Sequence, residues 1–360
     1  MKFKIIRLIL SLIVTAFLIC PKTTFAEDRE LVLLDSDMVD LFDDGVAMMM
    51  LATSPKINLL GVTIVAGNNW SEDCTASAIR QLEAIGVKDV PVAFDKTPSK
   101  IKNRLKNLDK EFDKYGRGFD MHIGAAANEE PSDWISVYQK NYNAEPTFKP
   151  IDESAVDFII KTIKNHPNQV TIVEIGPQTN LAAAIKKAPE IVPLVKKIVY
   201  MGGSFFQGGN VTPAAEFNIW FDPTSAKSVV RSSFKEQIFV PLDACEKIII
   251  SREDFDEFTK NVKSPILKEM IDVNKADDTI FEGAESRLIW DILAAAVVID
   301  PAIIAEEITM PVDVNDIVSP SYGETLAYRI APRDTQKARI ILQMNQEKII
   351  KLLQKFFNNL

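Results

Sequence analysis

Along this chain, short apolar runs of four to seven residues alternate with longer stretches in which apolar residues recur at helical spacing. The runs predict strands at Leu31–Leu34, Leu59–Val65, Val90–Phe94, Val170–Ile175, Lys197–Tyr200 and Gln237–Pro241. The periodic stretches predict helices at Asp44–Ala52, Ser71–Ile85, Ser154–Lys164, Asn180–Lys187, Pro223–Val230 and Leu288–Ile299. Strands that alternate with helices in this way imply a single α/β domain over residues 27–360, an open, mostly parallel, Rossmann-like sheet with helices on both faces. No repeat or low-complexity linker breaks the order, and an apolar content of 47% suffices for one large core. The charged, glycine-poor run Lys96 to Lys114 reads as a surface excursion, and the polar stretch Asp277 to Arg287 as a mobile approach to the last predicted helix.

The first 26 residues follow a different pattern. Lys2, Lys4 and Arg7 precede an apolar run from Leu8 to Cys20, and Thr24-Phe25-Ala26 offers a small-residue cleavage site, so Met1 to Ala26 reads as a secretory signal peptide. The run is short for a membrane span, which needs about 20 residues. A periplasmic or secreted protein with no stable membrane association after cleavage is therefore expected. Ile19 before Cys20 argues against lipid attachment there. Loss of the segment leaves 37 basic against 50 acidic side chains, a net of −13, which argues against nucleic acid as a partner. Cys74 and Cys245 remain, and geometry decides whether they pair. The sequence leaves a homo-oligomer open.

Candidate chemistry concentrates after the first strand, where Asp35, Asp37, Asp40, Asp43 and Asp44 fall within ten residues. Carboxylates crowded between a buried strand and an apolar helix raise one another's pKa unless a cation neutralises them, so the cluster points to a hard divalent ion. Other loops at strand ends offer oxygens and amides: Ala66-Gly67-Asn68-Asn69, Ile175-Gly176-Pro177-Gln178-Thr179-Asn180, and Gly202-Gly203 with Gly209-Asn210-Val211-Thr212-Pro213-Ala214-Ala215-Glu216-Phe217-Asn218. Trp290-Asp291 begins the last predicted helix. In an open sheet such loops converge on one ligand site.

Taken in order, these segments resemble the nucleoside hydrolase family, calcium-dependent enzymes that cleave the N-glycosidic bond of ribonucleosides, over most of Glu30 to Pro301. The resemblance implies Ca2+ held by Asp37, Asp44, Asp291 and the Ile175 carbonyl, with Asp37 also the catalytic general base. It further implies that Asp43, Asn68, Asn210, Glu216 and Asn218 bind the ribose of a small-molecule nucleoside. The residue types suit these tasks: calcium accepts several oxygens in flexible geometry, and carboxylates and amides match hydroxyls that both donate and accept. Ribosyl transfer to water passes through an oxocarbenium-like state, which calls for an activated water and surrounding negative charge.

Two departures qualify the match. Five residues, Met38 to Phe42, separate Asp37 from Asp43 where the shortest family pattern has three, so Asp40 is extra and a competing ligand. Where the pyrimidine-accepting branch has a histidine before the late aspartate, this chain has Trp290, which resembles the purine-preferring branch and its stacking indole. Trp70 reads as a helix-start residue packed on the core. The expected products are free base and ribose, from purine nucleosides first. Two rivals remain at this level. One is a haloacid-dehalogenase-type phosphatase with Asp35 as nucleophile of Asp35-Ser36-Asp37, and the other is a non-catalytic periplasmic nucleoside-binding protein.

Overall fold

In the computed structural model, which describes residues 29–117 and 122–360, nine of eleven strands form one sheet. The strands are β1 (Glu30–Ser36), β2 (Ile57–Ile64), β3 (Val92–Phe94), β4 (Val170–Glu174), β5 (Lys197–Met201), β6 (Gln237–Val240), β7 (Ile249–Ser251), β8 (Ser286–Leu288), β9 (Ile304–Val314), β10 (Thr325–Ala327) and β11 (Gln336–Met344). The sheet runs β10-β9-β11-β6-β5-β4-β1-β2-β3, and β7 pairs with β8 apart from it. Strands β1 through β6 and β11 are parallel, β9 pairs antiparallel with β11, and β10 pairs antiparallel with β9 at that edge. The central strands β4 and β6 are buried at every residue, and β1 over its last five, which explains their unbroken apolar runs. The signal peptide expected over Met1–Ala26 lies outside the described residues.

The helices are α1 (Asp44–Thr53), α2 (Ser71–Ala84), α3 (Ser99–Leu105), α4 (Leu108–Tyr115), α5 (Trp134–Tyr142), α6 (Ala155–Asn165), α7 (Thr179–Lys187), α8 (Phe217–Phe221), α9 (Pro223–Val230), α10 (Leu242–Cys245), α11 (Arg252–Thr259), α12 (Pro265–Asp277), α13 (Asp291–Ile299) and α14 (Gln346–Asn358). One core layer gathers α1, α2, α13 and α14 against the sheet; a second gathers α6, α7 and α9 on the other face. Helix α13 is buried at every position and α1 at eight of ten, so neither has a solvent face, and they pack on each other. Both begin at an aspartate.

Strand order reverses between β1 and β4, with β2 and β3 to one side and β5 and β6 to the other. The loops that leave β1 and β4 therefore diverge to opposite sides, opening a crevice at the carboxyl end of the sheet. The run Lys96 to Lys114 is more than an excursion. It folds into α3 and α4, whose Ile101, Leu105, Leu108 and Phe112 pack in a third cluster with Trp220 and Phe221 of α8. Between α12 and β8, Asp278 pairs with Arg252, and the Arg287 guanidinium donates to the Ile280 carbonyl.

Candidate active site

Four aspartates meet in the crevice. One carboxylate oxygen each from Asp43, Asp44 and Asp291 lies within 4.8 Å of the others. Asp37 stands beside them through Asn68, whose backbone N–H donates to Asp37 Oδ2 (2.7 Å) while its side-chain amide donates to Asp44 Oδ2 (3.1 Å). Ser36 Oγ also donates to Asp44 (2.8 Å), on its other oxygen. Asp43 ties the loop to α13, with its Oδ2 accepting from the backbone of Trp290 (2.6 Å) and of Asp291 (2.7 Å). Asp44 and Asp291 open their helices, where the positive end of each dipole favours a carboxylate.

The electrostatics are those of a site built around a positive charge. Burial, then the neighbouring Asp43, pushes Asp44 up to about 7. Burial, then Asp44, drives Asp37 well above the carboxylate range, and burial with Asp43 and Asp44 does the same to Asp291. Among the described residues, Asp37 Oδ1 and Asp291 Oδ1 are buried without a hydrogen-bond partner. Buried acceptors left bare are costly, and a divalent cation is the partner that would satisfy both and reverse these shifts. The donor set, all oxygen, fits a hard ion.

The backbone is shaped around these groups. A Cβ added at Gly67 would sit 2.1 Å from Asp37 Oδ2, and one at Gly176 2.9 Å from Asp37 Oδ1, so both loops flanking Asp37 need glycine for close approach.

The long loop after β5 folds back on itself. Glu216 caps α8, accepting from the backbone of Asn218 (2.8 Å), Gly203 (2.9 Å) and Ile219 (3.2 Å). Asn210 Oδ1 accepts from Phe217 N (3.0 Å). Asn218 Nδ2 donates to the carbonyls of Ile175 (3.1 Å) and Met201 (3.2 Å), which places the Ile175 oxygen at the same crevice. Each amide spends one end on the scaffold, and the Asn218 oxygen and Asn210 nitrogen are not so spent among the described residues.

Other residues fall elsewhere. Asp35 points away from the cluster, accepting from Thr63 Oγ1 (2.5 Å) and Asn180 Nδ2 (2.8 Å) opposite Glu174, and burial lifts it to about 6. A carboxylate enclosed in this way is no exposed nucleophile, which removes the phosphatase reading. Asp40 is held by Ser77 and Tyr142, outside the cluster. Trp70 is buried in the third core cluster, its indole N–H donating to the Asn128 carbonyl. Cys74 and Cys245 are both free and buried.

Trp290 is half-buried against the first core layer, with its indole nitrogen buried and unpartnered among the described residues and the Arg287 guanidinium 5.9 Å from its ring centre. The structure also supplies a histidine to the site. His122 Nε2 lies 3.0 Å from Asn68 Oδ1, and its ring packs on Phe217 at 5.0 Å. No motif marks His122, because 54 residues separate it from Asn68 and only the fold joins them.

The family model described as inosine-uridine preferring nucleoside hydrolase matches residues 32–351. This chain belongs to the nucleoside hydrolase family. Relatives include an uncharacterized protein of Schizosaccharomyces pombe, 32% identical over 69% of this chain and 74% of that one. Uridine nucleosidase 1 of Arabidopsis thaliana is 32% identical over 67% and 66%, and a pyrimidine-specific ribonucleoside hydrolase of Citrobacter koseri 34% over 64% and 67%. Among solved structures, a purine-preferring ribonucleoside hydrolase from Gardnerella vaginalis superposes with a TM-score of 0.69 at 26% identity, covering 92% of this chain and 98% of that one. A plant nucleoside hydrolase gives 0.72 at 22% identity over 92% and 99%, a likeness of fold. As a nucleoside hydrolase, the chain acts as a glycosidase on small-molecule nucleosides; the family is metal-dependent, and the chain carries a buried acidic cluster.

Proposed function

We propose that this nucleoside hydrolase is calcium-dependent, acts in the periplasm or outside the cell, and releases base and ribose from purine nucleosides in preference to pyrimidine ones. The observation that carries the proposal is the aspartate cluster at the β1/β4 crevice, with the bare buried oxygens of Asp37 and Asp291. Calcium, when bound, neutralises these carboxylates and acidifies a neighbouring water. Asp37, whose Oδ2 is held by the Asn68 backbone, accepts that water's proton. Asn68 sets the distance between Asp37 and Asp44, holding the base in register with the ion. Asn210, Glu216 and Asn218 orient the ribose, and Asp43 adds negative charge near the ring carbon that becomes cationic as the bond to the base breaks. Export rests on the basic, apolar and small-residue order of Met1 to Ala26.

Purine preference rests on Trp290, whose indole would stack on a purine that accepts a proton at its imidazole nitrogen N7, and on likeness to the purine-preferring Gardnerella protein. A second reading, pyrimidine hydrolysis, is favoured by His122, a titratable ring bonded to a sugar-side residue, and by the uridine and pyrimidine names of several relatives. Comparing kcat/KM on inosine, guanosine, uridine and a nitrophenyl riboside decides between them. Purine preference predicts inosine well above uridine, with Trp290→Ala losing more on inosine than on the nitrophenyl riboside, whose leaving group needs no proton. Equal rates on uridine and inosine would refute it. Absence of ribose release from any nucleoside, with calcium bound, would leave a binding protein.

A further inference from the structure

The loop between Asp37 and Asp43 must place acids from both of its ends within a few ångströms of one ion, yet it is longer than the shortest family pattern. Left free, five intervening residues would sample many conformations, at roughly 1–2 kcal/mol per residue to fix. The structure shows what fixes them. At the middle of the loop, Asp40 turns away from the cluster onto α2 and α5, accepting hydrogen bonds from Ser77 Oγ and from Tyr142 Oη, the latter 2.8 and 2.9 Å from its two oxygens. Burial raises the Asp40 pKa, a shift that the Ser77 and Tyr142 hydroxyls and then the Arg80 guanidinium, 5.3 Å from the Tyr142 ring centre, offset only in part.

Gln81, one helical turn beyond Ser77 and fully buried, holds the backbone on either side of Asp40. Its Nε2 donates to the Val39 carbonyl (3.0 Å), and its Oε1 accepts from Leu41 N–H (2.8 Å). The side-chain amide thus pairs with the loop as a strand edge would. Gly45 leaves room for it, since a Cβ there would lie 1.7 Å from Gln81 Oε1.

We infer that Asp40, through Ser77 and Tyr142, is the positioning residue of the cation loop, an anchor that fixes where Asp37, Asp43 and Asp44 stand and not itself a ligand. The inference rests on the calcium reading above. Both Asp40 oxygens are spent on hydroxyls of α2 and α5, unlike the bare Oδ1 atoms of Asp37 and Asp291. A ligand must carry charge to the ion, whereas an anchor needs only to accept hydrogen bonds, and this difference makes the two roles separable.

The test compares Asp40→Asn, Asp40→Ala and Tyr142→Phe in the full-length protein. Calcium dissociation constants are measured by chelator competition, and amide hydrogen exchange of peptides covering residues 35–44 is followed in the calcium-free protein. An anchor predicts that Asp40→Asn, which keeps an acceptor for both hydroxyls, binds calcium within a few-fold of wild type. Asp40→Ala should weaken binding roughly tenfold or more, the scale seen when partners of metal ligands are removed. It should also speed exchange through Asp37 to Asp44, with Tyr142→Phe moving both in the same direction by less. Saturating calcium should restore most of the Asp40→Ala turnover.

Equal loss of calcium affinity in Asp40→Asn and Asp40→Ala would make Asp40 a ligand and overturn the inference. Unchanged calcium binding and exchange in Asp40→Ala would overturn it as well. If Asp40→Ala fails to fold, Asp40→Asn and Tyr142→Phe decide by the same criteria. Wild-type protein that binds calcium but releases no ribose would sink the hydrolase proposal and leave this comparison standing. Failure to bind calcium would sink the metal reading, while the exchange comparison still judges the anchor.

Discussion

Asp37 joins two demands that conflict in water. As the proposed base, it would have to be negative beside other negative groups and still take a proton. Its Oδ2 accepts from the Asn68 backbone, and its Oδ1 is buried and bare. Replacing it with asparagine keeps the shape and removes both proton acceptor and charge, so kcat for nucleoside hydrolysis should fall by about 10²–10⁴. Turnover within a few-fold of wild type, measured with calcium bound, would move the base elsewhere. At this scale the acids were legible in the sequence because five of them crowd the turn from a buried strand into an apolar helix. The division of labour among them was not. Asp43 and Asp40 differ by three positions, yet one braces α13 and the other grips α2 and α5, and only side-chain direction in the folded loop separates them. His122 was illegible for the same reason, since its neighbour Asn68 is a contact of the fold and not of the chain.

The elements that carry the site were the easiest to read. Strands β1, β4 and β6 are wholly or largely buried and therefore appear as apolar runs, and α1 and α13 are buried on nearly every side and begin at acids. The elements that steady the site were harder. Strand β9 carries a run of exposed residues over Ala305–Thr309, so it lacks an apolar signature, and its antiparallel pairing with β11 emerges only when the sheet is assembled. From that edge, Thr325 of β10 reaches the loop after β5, its Oγ1 accepting from Ser204 N (2.8 Å) and donating to Ser204 O (2.7 Å). Thr325→Val keeps the volume and strands two buried backbone groups, a loss of about 1–3 kcal/mol each where no water replaces the hydroxyl. A lowered melting temperature and a raised KM for nucleosides, with calcium affinity unchanged, are the expected result. An unaltered KM would show that the loop holds its shape without β10.

For the molecule as a whole, the acid cluster makes stability depend on pH in a direction the cation should reverse. Without calcium, Asp37, Asp44 and Asp291 hold protons more tightly folded than unfolded, with Asp44 near 7 against an ordinary carboxylate near 4. The folded state then binds more protons across that interval, so stability is fullest below about pH 4 as far as these groups decide it, and falls as pH rises to about 7. If calcium binds the ionised set in the folded protein alone, as proposed, it adds about 2.7 kcal/mol at a hundredfold excess over Kd. Melting curves from pH 5 to pH 8 should decline with chelator and level or rise with calcium. Curves that coincide would mean that the cluster holds no calcium.

The bonds from Asp43 to the backbone of Trp290 and Asp291 join positions 247 and 248 residues apart. A chain that emerges from its amino end presents the crowded acids of the first strand long before α13 exists to meet them. Until residue 291 arrives, nothing in the chain completes the cage, and the central strand of the sheet must wait with its repulsion unrelieved. On the proposed metal reading, an ion there would be a clasp between the beginning and the last fifth of the polypeptide, closing a loop whose entropy grows only with the logarithm of its length. A truncated product lacking α13 would lose Asp291 from the cluster, and with it part of the hold on such an ion.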